Sequence, residues 1–199
     1  MSLLELIAAA DERGLATSAV ACLDRCLPPP AEGADPDPLR PLWAGCADGS
    51  LWPVRLAEAR AALDAAADAE GAAPQIRKLL GDAPADRAEP GLREWADACS
   101  LLALEVHLEQ DATPSAGAGA VRGCRVGDTE GVGPLLAGEV WRQTRILELL
   151  AENAGATGAG AGLRQVLDTS AEGQRVLRAA VSRRARGRGH GLAHDEQWE

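Results

Sequence analysis

The chain has 199 residues, 46% of them hydrophobic, and a formal net charge of −10. That composition excludes a wholly disordered polymer, makes one domain the default, and sets the molecule as a whole against phosphate backbones. Phe and Tyr are absent and five Trp are present. Leucine and tryptophan must therefore supply the large anchors, β-formers are sparse, and the expectation is all-α.

Five cysteines form an odd set without framework spacing. The amino terminus, MSLLELIAAADERG, carries no basic region before its apolar residues, and no run approaches the ~18 apolar residues of a membrane span. These features imply reduced thiols in a cytoplasmic protein. Arginine outnumbers lysine almost completely, Lys78 being the single lysine, which with the alanine and glycine load suggests a GC-rich bacterial source.

Ser2 and Glu5 predict a capping box opening a first helix with Leu3, Leu6 and Ile7 at helical spacing and Gly14 as its C′ residue. A second helix over 16–27 carries Val20, Leu23 and Leu27, and Pro28–Pro30 stop it. The connector 28–38 leads to a short helix over 39–47. Ser50 and Pro53 mark the next start, and 54–70 reads as alanine-rich helix with an Arg60–Asp64 pair at i,i+4. A brief helix lies near 75–80.

Residues 92–109 carry Trp95, Cys99, Leu102 and Val106 on one stripe and Leu101, Leu104 and Leu108 on another, the pattern of a central helix. Residues 111–136 read as a long glycine-rich loop. Helix 138–153 follows, with Val140, Trp141, Leu147 and Leu150 expected inward, then a flexible link over 154–162 and a short helix at 163–167. A second capping box, Thr169 with Glu172, is expected to start the last helix. The fold expected is a single helical bundle of about seven to nine helices, residues 1–182, with a flexible arginine-rich tail over 183–199.

SAVACLDRCLP, the connector after it, PLRPLWAGCADG and WRQTRILELLAENAG together resemble the helix layout of YjaG-like all-helical bacterial proteins, a family of uncharacterised function. The resemblance spans most of the chain. It implies a helical bundle and supplies no catalytic residue to carry over.

Few residues combine into chemistry. Cys22 and Cys26 lie one turn apart, with Cys46 or Cys99 as further thiols, but apolar neighbours make them core residues rather than zinc ligands. Cys124 stands between Arg122 and Arg125 in the glycine-rich loop, where two guanidinium groups would favour a thiolate; with no histidine or carboxylate adjacent as base, an incidental loop cysteine is the favoured reading and a reactive thiol the alternative. Gly117, Gly119 and Gly123, like Gly158, Gly160 and Gly162, miss phosphate-loop spacing and context.

Asp64 and Asp68 lack the second acidic motif that a magnesium–phosphate site needs, and a solvated helix face explains them. His190 and His194 sit among glycines that disfavour the helix a metal pair would require. No metal or cofactor is expected. Glu105, between two leucine stripes, is either a buried acid with Arg142 or Arg145 as its partner or a marker of the helix edge. Arg183, Arg184, Arg186 and Arg188 form a candidate patch for a partner or an anion.

The function these features favour is a non-catalytic acidic protein that binds a partner protein, as an adaptor or an inhibitor of the immunity-protein kind. An enzyme or small-ligand binder with its site between helices is the alternative, and nucleic-acid binding through the arginines is a weaker one. Self-association is left open.

Overall fold

The computed structural model describes residues 1–28, 37–65, 71–88, 90–112, 117–154 and 159–195, with side chains in the last segment described for 162–186. Among the described residues the chain forms nine α-helices, one 3₁₀ turn and no strand: the expected all-α bundle. No described helix is long and apolar enough to cross a membrane.

Helix α1 (Leu3–Ala9) opens with the predicted capping box: Ser2 N–H donates to Glu5 Oε2 at 2.7 Å and Glu5 N–H to Ser2 Oγ at 3.3 Å. Gly14 does not end this helix. Asp11 accepts from Gly14 N–H at 2.6 Å and caps α2 (Glu12–Cys26), so a carboxylate at an N-cap position overrides the glycine stop signal. Nearly every residue from Gly14 to Leu23 is buried. The small residues Ala16, Ala19 and Ala21, each at most 1% exposed, let neighbouring helices close in around it.

Helices α3 (Arg40–Ala47), α4 (Trp52–Ala65) and α5 (Ala73–Asp82) form a side layer in which α3 packs on α2 and α5 on α6 (Leu92–Gln110). Asp48 caps the 3₁₀ turn Gly49–Leu51, and Pro53 lies in the first turn of α4 as expected. Two indoles hold this layer. Trp52 and Trp95 meet edge to face at 5.8 Å, Trp52 Nε1 donates to Pro84 O at 2.9 Å, and Trp95 Nε1 donates to Leu79 O at 2.7 Å. Arg60 does not pair with Asp64. It donates to the carbonyls of Leu80, Gly81 and Ala83 at the end of α5, where Leu80 O also accepts from Ala83 N–H at 3.3 Å.

The central body is α2, α6, α8 (Pro134–Glu152) and α9 (Ala159–Asp195) packed on one another, with α2 against α6 its most extensive contact. The buried side of α6 carries Trp95, Cys99, Ala103 and His107, whereas Leu102 and Val106 are half-buried. The second leucine stripe thus contributes Leu104 to the interior and leaves Leu101 and Leu108 half-buried.

The span 111–136 is not one loop. It contains α7 (Ala118–Arg125), whose Val121 and Cys124 reach the core and whose Arg125 pairs with Asp97 of α6. Asp111, at the end of α6, accepts from Leu135 and Leu136 N–H at 3.3 and 3.0 Å, so one carboxylate joins the end of α6 to the start of α8. A Cβ on Gly133 would meet that carboxylate, so any larger residue at the N-cap of α8 would displace Asp111 from its bonds to Leu135 and Leu136.

The second capping box does not form. Thr169 Oγ1 donates to Gln165 O at 2.9 Å inside α9, which runs unbroken through the expected start and past residue 182. The short helix and the last helix are one element, and the glycines from 160 onward are helical. Of the expected tail, residues 196–199 lie outside the described residues.

Trp52→Ala is expected to cost about 3–5 kcal/mol of stability. Trp52→Phe should cost less, because it keeps most of the packing and loses the bond to Pro84. Urea unfolding followed by circular dichroism measures both, and equal losses would mean that the indole hydrogen bond, not its packing, ties the side layer to the body.

Candidate functional site

The most concentrated chemistry in the molecule is buried. Arg25 of α2 reaches Glu139 of α8 with a two-pronged contact: Nε lies 3.2 and 3.0 Å from the two carboxylate oxygens and Nη2 lies 2.6 Å from Oε1. Neither side chain has any solvent exposure. Gln143, one turn along α8, donates to Glu139 Oε1 at 3.0 Å and to Ser100 O at 3.3 Å, while Ser100 Oγ donates to Gln143 Oε1 at 2.6 Å. Arg142 Nη1 approaches Glu139 Oε2 at 3.8 Å.

His107 completes the cluster. Its Nδ1 lies 2.7 Å from Ala103 O, so Nδ1 carries the proton, and Nε2 faces Glu139 Oε2 at 3.4 Å. In the neutral ring that nitrogen points a lone pair at a carboxylate, and it has no hydrogen-bond partner. Burial holds the imidazole below its ordinary value of 6.5 against the pull of Glu139. Burial also opposes ionisation of Glu139, but Arg25 and His107 outweigh it and the carboxyl sits below its usual range. Arg25 is likewise penalised by burial, and Glu139 more than restores its charge.

Helix α9 seats on this cluster because of one glycine. A Cβ on Gly173 would lie 2.5 Å from Arg25 Cδ and 2.8 Å from Arg142 Cδ, so only a bare backbone lets both stems pass. Ser170 donates to Asp24 Oδ2 at 3.0 Å and Gln174 to Asp24 O at 3.0 Å, fixing α9 to the end of α2. Burial pushes the Asp24 carboxyl up to about 6, with the Ser170 bond pulling the other way.

Beside this closed cluster lies an open groove of about 380 Å³, walled by α6 and α9 and ended by Leu27 after α2 and Ala72 before α5. The α6 wall presents Leu102 and Val106 with Glu105 and Glu109 beside them. The α9 wall presents Leu177 and Val181 with Arg178 and Ser182 beside them.

The structure redistributes the residues expected from sequence. Glu105 is exposed on the groove wall and pairs with neither Arg142 nor Arg145; the buried acid is Glu139. Arg142 turns inward to Glu139, and Arg145 bridges the exposed Glu148 and Glu152. Trp141, expected inward, is 61% exposed, because the inner side of α8 follows Leu136, Glu139, Gln143, Ile146 and Leu150. Glu139 and Gln143 lie on that heptad row, a signal the sequence did contain.

Cys124 is a core residue on α7, only 1% exposed, and burial raises its thiol rather than activating it. Cys22, Cys26, Cys46 and Cys99 are buried as expected, and burial pushes the thiols of Cys22 and Cys46 up to about 12. Arg183, Arg184 and Arg186 are exposed on α9, and Arg184 Nη1 donates to the carbonyl of Glu109 at the end of α6. The side chains of Arg188, His190 and His194 lie outside the described residues, as does Asp68. Asp64 approaches Arg77 at 3.7 Å. Among the described residues no group of three or more His, Cys, Asp or Glu side chains is arranged to hold a metal.

No protein-family model, no curated protein and no solved structure matches this chain.

Glu139→Ala should cost about 3–5 kcal/mol by stranding a buried guanidinium, while Arg25→Met with Glu139→Leu should recover most of that loss. Urea unfolding of the single and double variants checks this, and a double variant as weak as the single would deny the pairing.

The pH dependence separates His107 from Asp24. His107 binds its proton more weakly folded than unfolded, so its contribution falls as pH drops below 6.5. Asp24, raised to about 6 from 3.8, gains stability across that interval as pH falls. Unfolding titrations of the wild type and His107→Gln should therefore diverge below pH 6.5, with the variant losing less; parallel curves would refute the assignment.

Proposed function

We propose that this chain is a non-catalytic helical protein that docks a partner protein in the groove between α6 and α9, as an adaptor or an inhibitor. The observation that carries this reading is the groove itself: apolar residues from two helices flanked by charge, open to solvent beside a rigid ionic core. The acidic chain adds a long-range field that speeds encounter with a basic partner and rejects acidic ones.

Catalysis finds less support. The Arg25–Glu139 cluster is sealed from substrate, and Cys26, which lines the groove, has its thiol held well above the ordinary range by burial. A small-ligand reading has one observation in its favour, Glu105 and Arg178 lining the same groove of small-molecule size. Nucleic-acid binding through Arg183, Arg184, Arg186 and Arg188 is the weaker alternative, because their charge is set against an acidic body.

Val181 is 44% exposed, so Val181→Arg obstructs the groove at little cost to the fold. A partner captured from the native cells by the wild type should be lost with Val181→Arg and kept with Trp141→Ser. Identical capture by all three would refute docking in the groove. A small molecule released by denaturing the wild type, and missing from Val181→Arg, would favour the ligand reading.

A further inference from the structure

We infer that the groove recognises an amphipathic helix of a partner protein whose basic flank lies against α6. The inference rests on the docking reading above and specifies its occupant.

The spacing of the walls points to a helix. Leu102 and Val106 on α6, and Leu177 and Val181 on α9, are each four residues apart, one helical turn. The same interval separates Glu105 from Glu109 and Arg178 from Ser182. Each wall therefore offers one apolar row and one polar row repeating once per turn, the surface into which the i,i+4 ridge of a third helix packs. The volume of about 380 Å³ takes the apolar side chains of that ridge and leaves the helix body lying over the opening.

Charge sets the orientation. Among the described residues neither Glu105 nor Glu109 carboxylate has an ion-pair partner, although Arg184 donates to the backbone carbonyl of Glu109, so Glu105 is the acid most open to an incoming cation. Arg178 on the opposite wall makes no ion pair within 4.0 Å among the described residues, though its charge acts on Asp24, and its Nε is buried without a hydrogen bond. A helix with lysine or arginine along one flank and acidic or neutral residues along the other satisfies both walls, and the reversed arrangement is repelled by both.

A displayed library of helical peptides with a fixed leucine ridge and randomised flanks, selected against the full chain, tests this directly. The expected pool is enriched for lysine and arginine on one flank only. Its members should lose about tenfold or more in affinity on Glu105→Lys with Glu109→Lys, but not on Glu148→Lys with Glu152→Lys, which changes net charge equally on α8. A pool with neutral or acidic flanks, or equal losses with the two double variants, overturns the charge assignment. Binding unchanged by Val181→Arg overturns the groove itself. Loss with Val181→Arg but not with the Glu105 and Glu109 reversal leaves docking standing and removes the basic flank.

Discussion

Where α2 meets α8, one guanidinium and one carboxylate have left water together. Moving either ion alone into the interior costs several kcal/mol, and only a well-formed pair with further hydrogen bonds offsets that penalty. Arg25 and Glu139 meet the condition through two prongs, with Gln143 and Ser100 extending the network. Apolar packing tolerates small slides between helices, but a pair fixed by hydrogen-bond lengths does not. Arg25 and Glu139 therefore restrict the register of α2 against α8 more narrowly than apolar packing alone would.

The groove inherits its shape from that register. Arg25 immediately precedes Cys26 and Leu27, which close one end of the groove, and Asp24 on its other side binds Ser170 and Gln174 of α9. Gly173 lets α9 lie directly over the arginine stems, bringing Leu177 and Val181 opposite Leu102 and Val106. The groove and the ionic core thus share α6, α9 and the end of α2, while α8 contributes only to the core.

What was legible in the sequence was local. The capping box at Ser2, the proline at the start of α4 and the core placement of Cys22, Cys26, Cys46 and Cys99 depend on neighbours within a turn or on simple burial preference, and the structure shows them. The all-α class was legible for the same reason. Helix α7 was not, because Gly119 and Gly123 lower its intrinsic propensity and the burial of Val121 and Cys124 favours it instead. Thr169 with Glu172 imitates a helix start, yet a threonine hydroxyl bonds equally well to the carbonyl four residues back. The buried pair was beyond local reading, since its partners lie 114 residues apart and neither makes physical sense in a core without the other. Glu105 stood out between two leucine rows, but its role on a groove wall emerged only once α9 placed Arg178 there.

The burial of all five thiols gives the molecule an internal record of its own opening. In the closed form a thiol reagent meets sulfur that is both covered and, through desolvation, protonated. Cys22, Cys46, Cys99 and Cys124 therefore become modifiable only when their helices lift away, whereas Cys26, on the groove wall, lies nearest to solvent. Because they sit on α2, α3, α6 and α7, the order in which they are modified reports which helices part first.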